Sequence, residues 1–319
     1  MQIFRQLDQV PANYGPSVLS VGNFDGVHLA HRNVLREVVE RARELGARAL
    51  AVTFDPHPVR VLRPGSKTRM LTPTEAKLEL LRAAGLDAVL VLPFTRQLSE
   101  MSPADFARRI LAEKLNAREV HEGFNFRFGH DAAGDVRQLE ALGRELGFSL
   151  RVYPEMRVRG DVVSSSRIRQ LIAEGRVTRV QRLLGRPFSI AAPPASGRGV
   201  GHRYTVPTIN LARYDELLPG DGVYITCTEV GGECFQSVSN VGSRPTFDGA
   251  GFAVETHLLN FHPIEVAPES DVKLSFLYRL RPEIRFPGVE ALRAQIARDV
   301  KRAQRYFRAC EARNLAAKR

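Results

Sequence analysis

Short apolar runs alternate with amphipathic stretches over the first part of the chain. Ser17-Val18-Leu19-Ser20-Val21 reads as a buried strand, Gly22 and Gly26 permit a tight turn, and the periodicity from about His28 to Leu45 predicts a helix. The alternation continues, with Ala47 to Phe54, Ala88 to Leu92, Glu119 to His121 and Phe148 to Val152 reading as strands separated by helical patterns. This predicts a doubly wound α/β sheet, in which ligands bind beyond the carboxyl ends of the strands. From Pro187 the pattern changes to Gly and Pro punctuation and short β-rich runs at Gly222 to Glu229, Cys234 to Val241, Ala253 to Leu259 and Val272 to Arg279. Those are β-barrel signals. A helix expected from about Val289 to Phe307 follows, with Leu292, Ile296, Val300 and Phe307 on related faces. Two domains are therefore expected, residues 1–186 and 187–319.

Composition narrows the class. With 319 residues and 44% hydrophobic content, two cores can be buried. No stretch approaches the roughly 20 apolar residues of a membrane span, and Met1-Gln2-Ile3-Phe4-Arg5 lacks a signal-peptide core, so cytoplasmic residence is expected. Cys227, Cys234 and Cys310 are odd in number and lack Cys-x-x-Cys spacing, and they are expected to be reduced packing residues. The net charge of +11 raises nucleic-acid binding as a class. Yet only six of the 46 basic residues are Lys, and the Arg residues are scattered over helical stretches rather than gathered in a run. Phosphorylated small molecules are the expected partners, and neither nucleic acid nor membrane is.

The candidate chemistry begins where the first strand ends. Gly22-Asn23-Phe24-Asp25-Gly26-Val27-His28-Leu29-Ala30-His31 joins a strand to a helix start, where free N–H groups and the positive end of the helix dipole favour an anion. His28 and His31, three apart, can add hydrogen bonds to a reacting phosphate; a zinc site would want further Cys or His at ligand spacing, which the neighbouring sequence lacks. Asp55-Pro56-His57-Pro58 follows the second strand. Gly123-Phe124-Asn125-Phe126-Arg127-Phe128-Gly129 sets aromatic faces beside a carboxamide, suited to a flat heteroaromatic ring, although on pattern alone a core-filling stripe is the stronger reading. Ser164, Ser165 and Ser166 precede a helical pattern carrying Arg169; capping accounts for one hydroxyl, and the set suits a second anion clamp.

Gly22-Asn23-Phe24-Asp25-Gly26-Val27-His28 closely resembles the opening motif of the bifunctional riboflavin kinase/FMN adenylyltransferases, the prokaryotic FAD synthetases. Thr53-Phe54-Asp55-Pro56-His57-Pro58, the Gly123 to Gly129 segment and Ser164-Ser165-Ser166-Arg167-Ile168-Arg169 resemble later motifs of the same family. The resemblance implies a Rossmann-like nucleotidylyltransferase domain followed by a riboflavin-kinase-like barrel with a terminal helix. It also implies attack of the FMN phosphate on the α-phosphorus of ATP. By that match His28 and His31 are catalytic, Gly22, Asn23, Phe24, Asp25, Ser164, Ser165, Ser166 and Arg169 bind ATP, and Asn125, Phe126 and Phe128 meet flavin. The family has His-x-Gly-His where this chain has Ala30 in the Gly position, which predicts an adjusted rather than abolished ATP site.

The second domain resembles the family's kinase half. Pro207-Thr208-Ile209-Asn210 matches its Pro-Thr-x-Asn motif, which implies Thr208 and Asn210 as oxygen ligands of a Mg²⁺ ion shared with substrate phosphates. Asn240-Val241-Gly242, Arg244-Pro245-Thr246-Phe247, Val254-Glu255-Thr256-His257 and Leu280-Arg281-Pro282-Glu283 then arrive in the family's order, and Glu255 matches the general base for the ribityl hydroxyl. Gly201-His202-Arg203-Tyr204-Thr205-Val206 departs from the family's phosphate loop at His202 and Thr205, although Gly201 is retained for phosphate. The expected activity is riboflavin to FMN to FAD at the expense of ATP. Alternatives are an adenylyltransferase with a degenerate kinase domain, and a non-catalytic, flavin-responsive RNA-binding regulator. Gly65-Ser66-Lys67-Thr68 and Gly197-x-Gly199-x-Gly201 lack the context of nucleotide motifs.

Overall fold

The computed structural model describes all residues except 13, 196–202, 205–207, 247–248, 266–269 and 318–319, so Gly201, His202 and Thr205 of the expected phosphate loop lie outside the described residues. The chain forms two compact units, Met1–Ser165 and Ser166–Arg319.

In the first unit, strands β1 (Gln2–Phe4), β2 (Ser17–Val21), β3 (Arg48–Asp55), β4 (Ala88–Pro93), β5 (Ala117–Gly123) and β6 (Ser149–Tyr153) form one sheet in the order β1-β4-β3-β2-β5-β6. All its pairings are parallel. The expected doubly wound sheet is what forms, and a parallel sheet covered on both faces explains why β2 is buried along its whole length. One face packs a cluster containing Leu19, Leu50, Leu90 and Ile110, the other a cluster containing Val18, Leu35, Val38 and Leu81. The chain order puts β3 on one side of β2 and β5 on the other, so the crevice between β2 and β5 is the topological switch point at which such sheets hold ligands. Helices α1 (Leu29–Glu44), α2 (Pro58–Leu62), α3 (Thr74–Ala83), α4 (Arg96–Ser99), α5 (Pro103–Asp105), running on into a π-helical stretch Phe106–Lys114, and α6 (Val136–Leu146) connect the strands; a short hairpin, β7 (Arg157–Val158) and β8 (Asp161–Val162), follows β6.

The second unit opens with α7 (Ser165–Ala173), whose first residue is the last of the first unit, and α8 (Val177–Leu184). These helices belong with the following strands: Gly220 N–H donates to the Ile172 carbonyl at 3.0 Å, and Thr178 Oγ1 donates to the Leu277 carbonyl at 3.4 Å. The packing boundary therefore precedes the change of sequence pattern at Pro187. Strands β9 (Phe188–Ala192), β10 (Arg203–Tyr204), β11 (Thr208–Asn210), β12 (Gly222–Val230), β13 (Glu233–Thr246), β14 (Gly249–Leu258), β15 (Ile264–Glu265) and β16 (Val272–Arg281) precede the terminal helix α9 (Val289–Ala317). Six of them form an antiparallel sheet in the order β11-β14-β13-β12-β16-β9, and β10 pairs with β15. The sheet curls until its ends meet in a bridge between Pro194 and Leu211, with Ala195 N–H donating to the Asn210 carbonyl and Ala212 N–H to the Pro193 carbonyl, each at 2.8 Å. The expected barrel thus closes after β9 and β11.

One face of β12 and β13 packs on α9 through Val223, Ile225, Ala303 and Phe307. The opposite face carries Thr226, Thr228, Ser237, Ser239 and Thr256, all fully buried and satisfied by one another, as in the Thr226–Ser239 and Ser239–Thr256 bonds at 2.7 and 2.8 Å. The cysteine expectation fails here, because Cys227 and Cys234 form a disulfide with their Cα atoms 6.4 Å apart. The spacing concealed it. The two-residue turn Gly231-Gly232, at φ 59° and 80°, folds β12 onto β13 so that Cys227 faces Gln236 and Glu229 faces Cys234, which makes the cysteines diagonal neighbours. Among the described residues Cys310 is the free cysteine.

Candidate active sites

In the first unit the turn after β2 is held in an unusual backbone conformation. Phe24, Gly26 and Val27 have φ of 46°, 85° and 37°, a region that costs a non-glycine residue about 1–3 kcal/mol. Burial of the Phe24 and Val27 side chains, 2% and 1% exposed, opposes that cost. A methyl group at Gly22 would meet the Phe24 ring at 3.3 Å, so a larger residue would push directly on the turn.

Asp25 uses its carboxylate structurally. Its two oxygens accept the Leu71 N–H at 3.0 and 3.1 Å, and one also accepts the Thr72 N–H at 3.1 Å, which ties the approach to α3 against the turn. The Asp25 carbonyl accepts a hydrogen bond from Ser165 Oγ at 2.9 Å, bringing one expected phosphate-motif hydroxyl to the turn. Ser164 is half-buried beside it, while Ser166 and Arg169 lie on α7 in the second unit, exposed and half-buried respectively.

His28 is the N-cap of α1, its Nδ1 accepting the His31 N–H at 3.4 Å. The two imidazoles stack at 3.6 Å between centroids, and Phe24 packs edge-on against His31. Burial, then His28, then Lys77 hold the His31 imidazole well below the usual histidine range, so it is neutral at pH 7. His31 Nδ1 is buried and without a hydrogen-bond partner among the described residues. Ala30 occupies the second position of the helix, where its methyl group is half-buried.

Beyond the strand ends lies a cavity of about 520 Å³ lined by Val21, Asn23, Phe54, Phe126 and Phe128, with Arg63, Arg127 and His130 among its polar groups. Phe126 and Phe128 stack at 5.4 Å, 12° from parallel. Gly134 must be small, because a methyl group there would come within 2.7 Å of the Phe128 ring. Asn125 is exposed beside Gly123 and is not among the lining residues, whereas the expected Asn23, Phe126 and Phe128 are. His57 caps α2, its Nδ1 accepting the Val59 N–H at 3.2 Å.

Lys77 and Glu122 are buried ionisable groups of the first unit that escaped the sequence reading. Lys77, on the apolar stripe of α3 with Leu78 and Leu81, is 5% exposed and reaches the ends of β2 and β3. Glu122, at the end of β5, is 4% exposed and accepts the Val21 N–H at 2.6 Å. The signal for each was a charge in a position the hydrophobic pattern assigns to the core.

In the second unit strand register builds the site. β11 sets Thr208 opposite His257 and Asn210 opposite Glu255, and on the other side β13 sets Asn240 opposite Glu255. Thr208 Oγ1 and His257 Nδ1 are 3.3 Å apart. A cavity of about 520 Å³ is lined by Thr208, Asn240, Glu255, His257, Arg281 and Glu283, with an apolar wall of Ile284, Phe286, Leu292 and Ile296. Arg281 is fixed by Asp299, 2% exposed, through Nε and Nη2 contacts of 2.9 Å. Gly242 has no room for a methyl group, which would meet the Glu283 carboxylate at 2.6 Å. Asn210 is exposed and does not line the cavity. Thr208 and Asn210 are neutral oxygen donors two apart on one strand, a donor set that suits a hard cation only when substrate phosphates and water complete its shell.

The resulting arrangement is one helix start with two stacked imidazoles, that of His31 neutral, beside an aromatic cavity, and one carboxylate flanked by carboxamides beside an apolar groove. Comparison with known proteins agrees with both halves. The family model for FAD synthetase matches residues 10–167, and that for riboflavin kinase matches residues 184–307. The chain is 34% identical over 313 residues to a bifunctional riboflavin kinase/FMN adenylyltransferase of Pseudomonas fluorescens, covering 95% of this chain and 97% of the relative. Proteins of the same description from Listeria monocytogenes and Escherichia coli are 33% and 31% identical, covering 91% of this chain and 92% of each relative. Among solved structures, a macrolide-efflux protein from Streptococcus pneumoniae shares the fold, with a TM-score of 0.83 at 24% identity, covering 95% of this chain and 98% of that one. The two family models and this similarity over nearly the whole chain make it a member of the bifunctional riboflavin kinase/FMN adenylyltransferase family, enzymes that convert riboflavin to FMN and FMN to FAD.

Proposed function

We propose that residues 1–186 carry the adenylyl transfer and residues 187–319 the riboflavin phosphorylation, each at its own cavity. The observation that carries this reading is that each unit encloses a cavity beside its own motif residues, Asn23, Phe126 and Phe128 in one and Thr208 and Glu255 in the other.

In the first unit the FMN phosphate attacks the α-phosphorus of ATP and pyrophosphate leaves. The start of α1 offers backbone N–H groups to the phosphates, and His28 and His31 donate hydrogen bonds to oxygens that gain charge in the transition state, each well-placed donor being worth about 10²- to 10³-fold. Ser164, Ser165, Ser166 and Arg169 add donors for the ATP phosphates, and Phe126 and Phe128 offer flat faces to the flavin ring. Asn125 acts from the rim.

In the second unit Glu255 takes the proton of the ribityl hydroxyl as that oxygen attacks the γ-phosphorus of ATP and ADP leaves with the bridging oxygen, a role worth about 10²- to 10⁴-fold. Thr208 and Asn210 would hold Mg²⁺ together with ATP, and the ion would there neutralise charge on the phosphates. The apolar wall accepts the flavin ring. Partners are riboflavin, FMN, FAD and ATP, and the protein works in the cytoplasm.

The test gives the full chain riboflavin, ATP and Mg²⁺ and separates flavins over time, with a parallel reaction from FMN. FAD from both starts is the expected result. FAD from FMN alone marks the kinase half as degenerate, and no product from either start favours the RNA-binding alternative.

A further inference from the structure

The strongest unassigned group in the molecule is the Lys77 ammonium. A lysine that is 5% exposed has lost most of its hydration, and its ammonium needs three acceptors in compensation. It finds them in the Asn23 carbonyl at 3.3 Å, Thr53 Oγ1 at 3.0 Å and the Phe54 carbonyl at 3.4 Å. The three acceptors lie at the ends of two neighbouring strands, and Thr53 Oγ1 itself donates to the Asn23 carbonyl at 3.3 Å. Asn23 and Phe54 both line the cavity.

We propose that Lys77 is a positioning residue for adenylyl transfer, clamping the ends of β2 and β3 so that Asn23 and Phe54 face the cavity, and adding positive potential behind the phosphate site. The inference rests on the assignment of adenylyl transfer to the first unit. With three acceptors in place the ammonium has no proton left for substrate, so it acts through the groups it holds rather than by touching the reactants. The charges facing it are the carboxylates of Asp25 and Asp55, which oppose the effect of burial on its pKa. It faces the His31 imidazole in turn, and with His28 is one of two side chains whose charge favours the neutral ring. A neutral side chain could tie two carbonyls together; the positive charge suits a pocket for polyphosphate.

The test uses the full chain, whose kinase half reports on whether the protein is made and folded. Lys77→Met is expected to lower kcat for FAD formation from FMN by about 10²-fold, the scale of a small displacement of aligned groups, while leaving FMN formation from riboflavin unchanged. It is also expected to move the acid limb of the FAD-forming pH profile upward, since loss of a neighbouring cation raises the His31 pKa. Lys77→Arg, which keeps the charge, is expected to restore most of kcat and to return the acid limb to its original place. FAD formation by Lys77→Met near the wild-type rate, or a reduced rate with an unmoved limb, overturns the proposal. Should Lys77→Met melt the first unit, Lys77→Arg decides alone: a folded Arg variant that cannot form FAD overturns it. Wild-type protein that makes no FAD from FMN would instead defeat the assignment on which the inference rests.

Discussion

The imidazoles of His28 and His31 lie face to face, 3.6 Å between centroids and 13° from parallel, one as the N-cap of α1 and the other in its first turn. Two rings at that separation do not both take a proton without strong repulsion, and burial of His31 selects the neutral form. His31→Ala is expected to reduce FAD formation from FMN by about 10²- to 10³-fold with riboflavin phosphorylation unchanged. Flavin chromatography of the two half-reactions checks it; a variant that still forms FAD at the normal rate removes this ring from the mechanism.

Glu255 sits between Asn210 and Asn240 in the register of three adjacent strands. Glu255→Gln keeps the shape and removes the base. FMN formation should fall about 10²- to 10⁴-fold while conversion of supplied FMN to FAD continues. Equal loss of both activities would contradict separate sites.

The Glu122 carboxyl is pushed well above the usual carboxylate range by burial, with the Val21 N–H acting the other way. A raised acid binds its proton more tightly folded than unfolded, so its stabilisation is full below the unfolded value near 4.5 and is lost as pH rises through the folded value. Glu122→Gln, which still accepts the Val21 N–H, is therefore expected to raise the unfolding temperature of the first unit more at pH 8 than at pH 5. Melting curves at the two pH values decide it, and an equal shift at both would show that Glu122 does not titrate differently on folding.

Arg281 and Asp299 form an ion pair that is 15% and 3% exposed, joining β16 to α9 at the edge of the second unit's cavity. Removing one partner leaves the other charge buried, at a cost of about 3–5 kcal/mol. Asp299→Ala should lower the stability of the second unit by that order and weaken riboflavin binding, as followed by denaturant titration and flavin fluorescence. Unchanged stability would show that water reaches Arg281.

The two periodicities were legible because they depend on neighbours along the chain. Burial of β2 on both faces leaves a short run of apolar and small residues without charge, α1 leaves a repeat of 3.6, and Gly22 and Gly26 mark the turn between them. The motif residues were legible for a similar reason: Asn23, His28 and His31 lie within a dozen residues of a strand end, and a strand end in a doubly wound sheet points at ligand. Asp25 was legible as a motif residue but not in its use, since its carboxylate meets Leu71 and Thr72, whose distance along the chain carries no local signal.

The residues that surprised are those whose partners come from distant strands. Cys227 and Cys234 meet only because β12 folds onto β13, and Thr226, Ser239 and Thr256 become a buried hydroxyl network only when three strands stack them. Lys77 and Glu122 occupy core positions of their elements, and burial makes each a charge that must be satisfied by groups distant along the chain. The boundary at Ser165 likewise follows from where α7 and α8 bury their apolar faces rather than from where the periodicity changes. The sequence by itself determined the elements, the switch of architecture and the residue types of both sites, because those reside in short-range pattern. Tertiary structure decided which side chains are desolvated and which distant groups they meet, and desolvation sets the proton affinities and the geometry on which the chemistry depends.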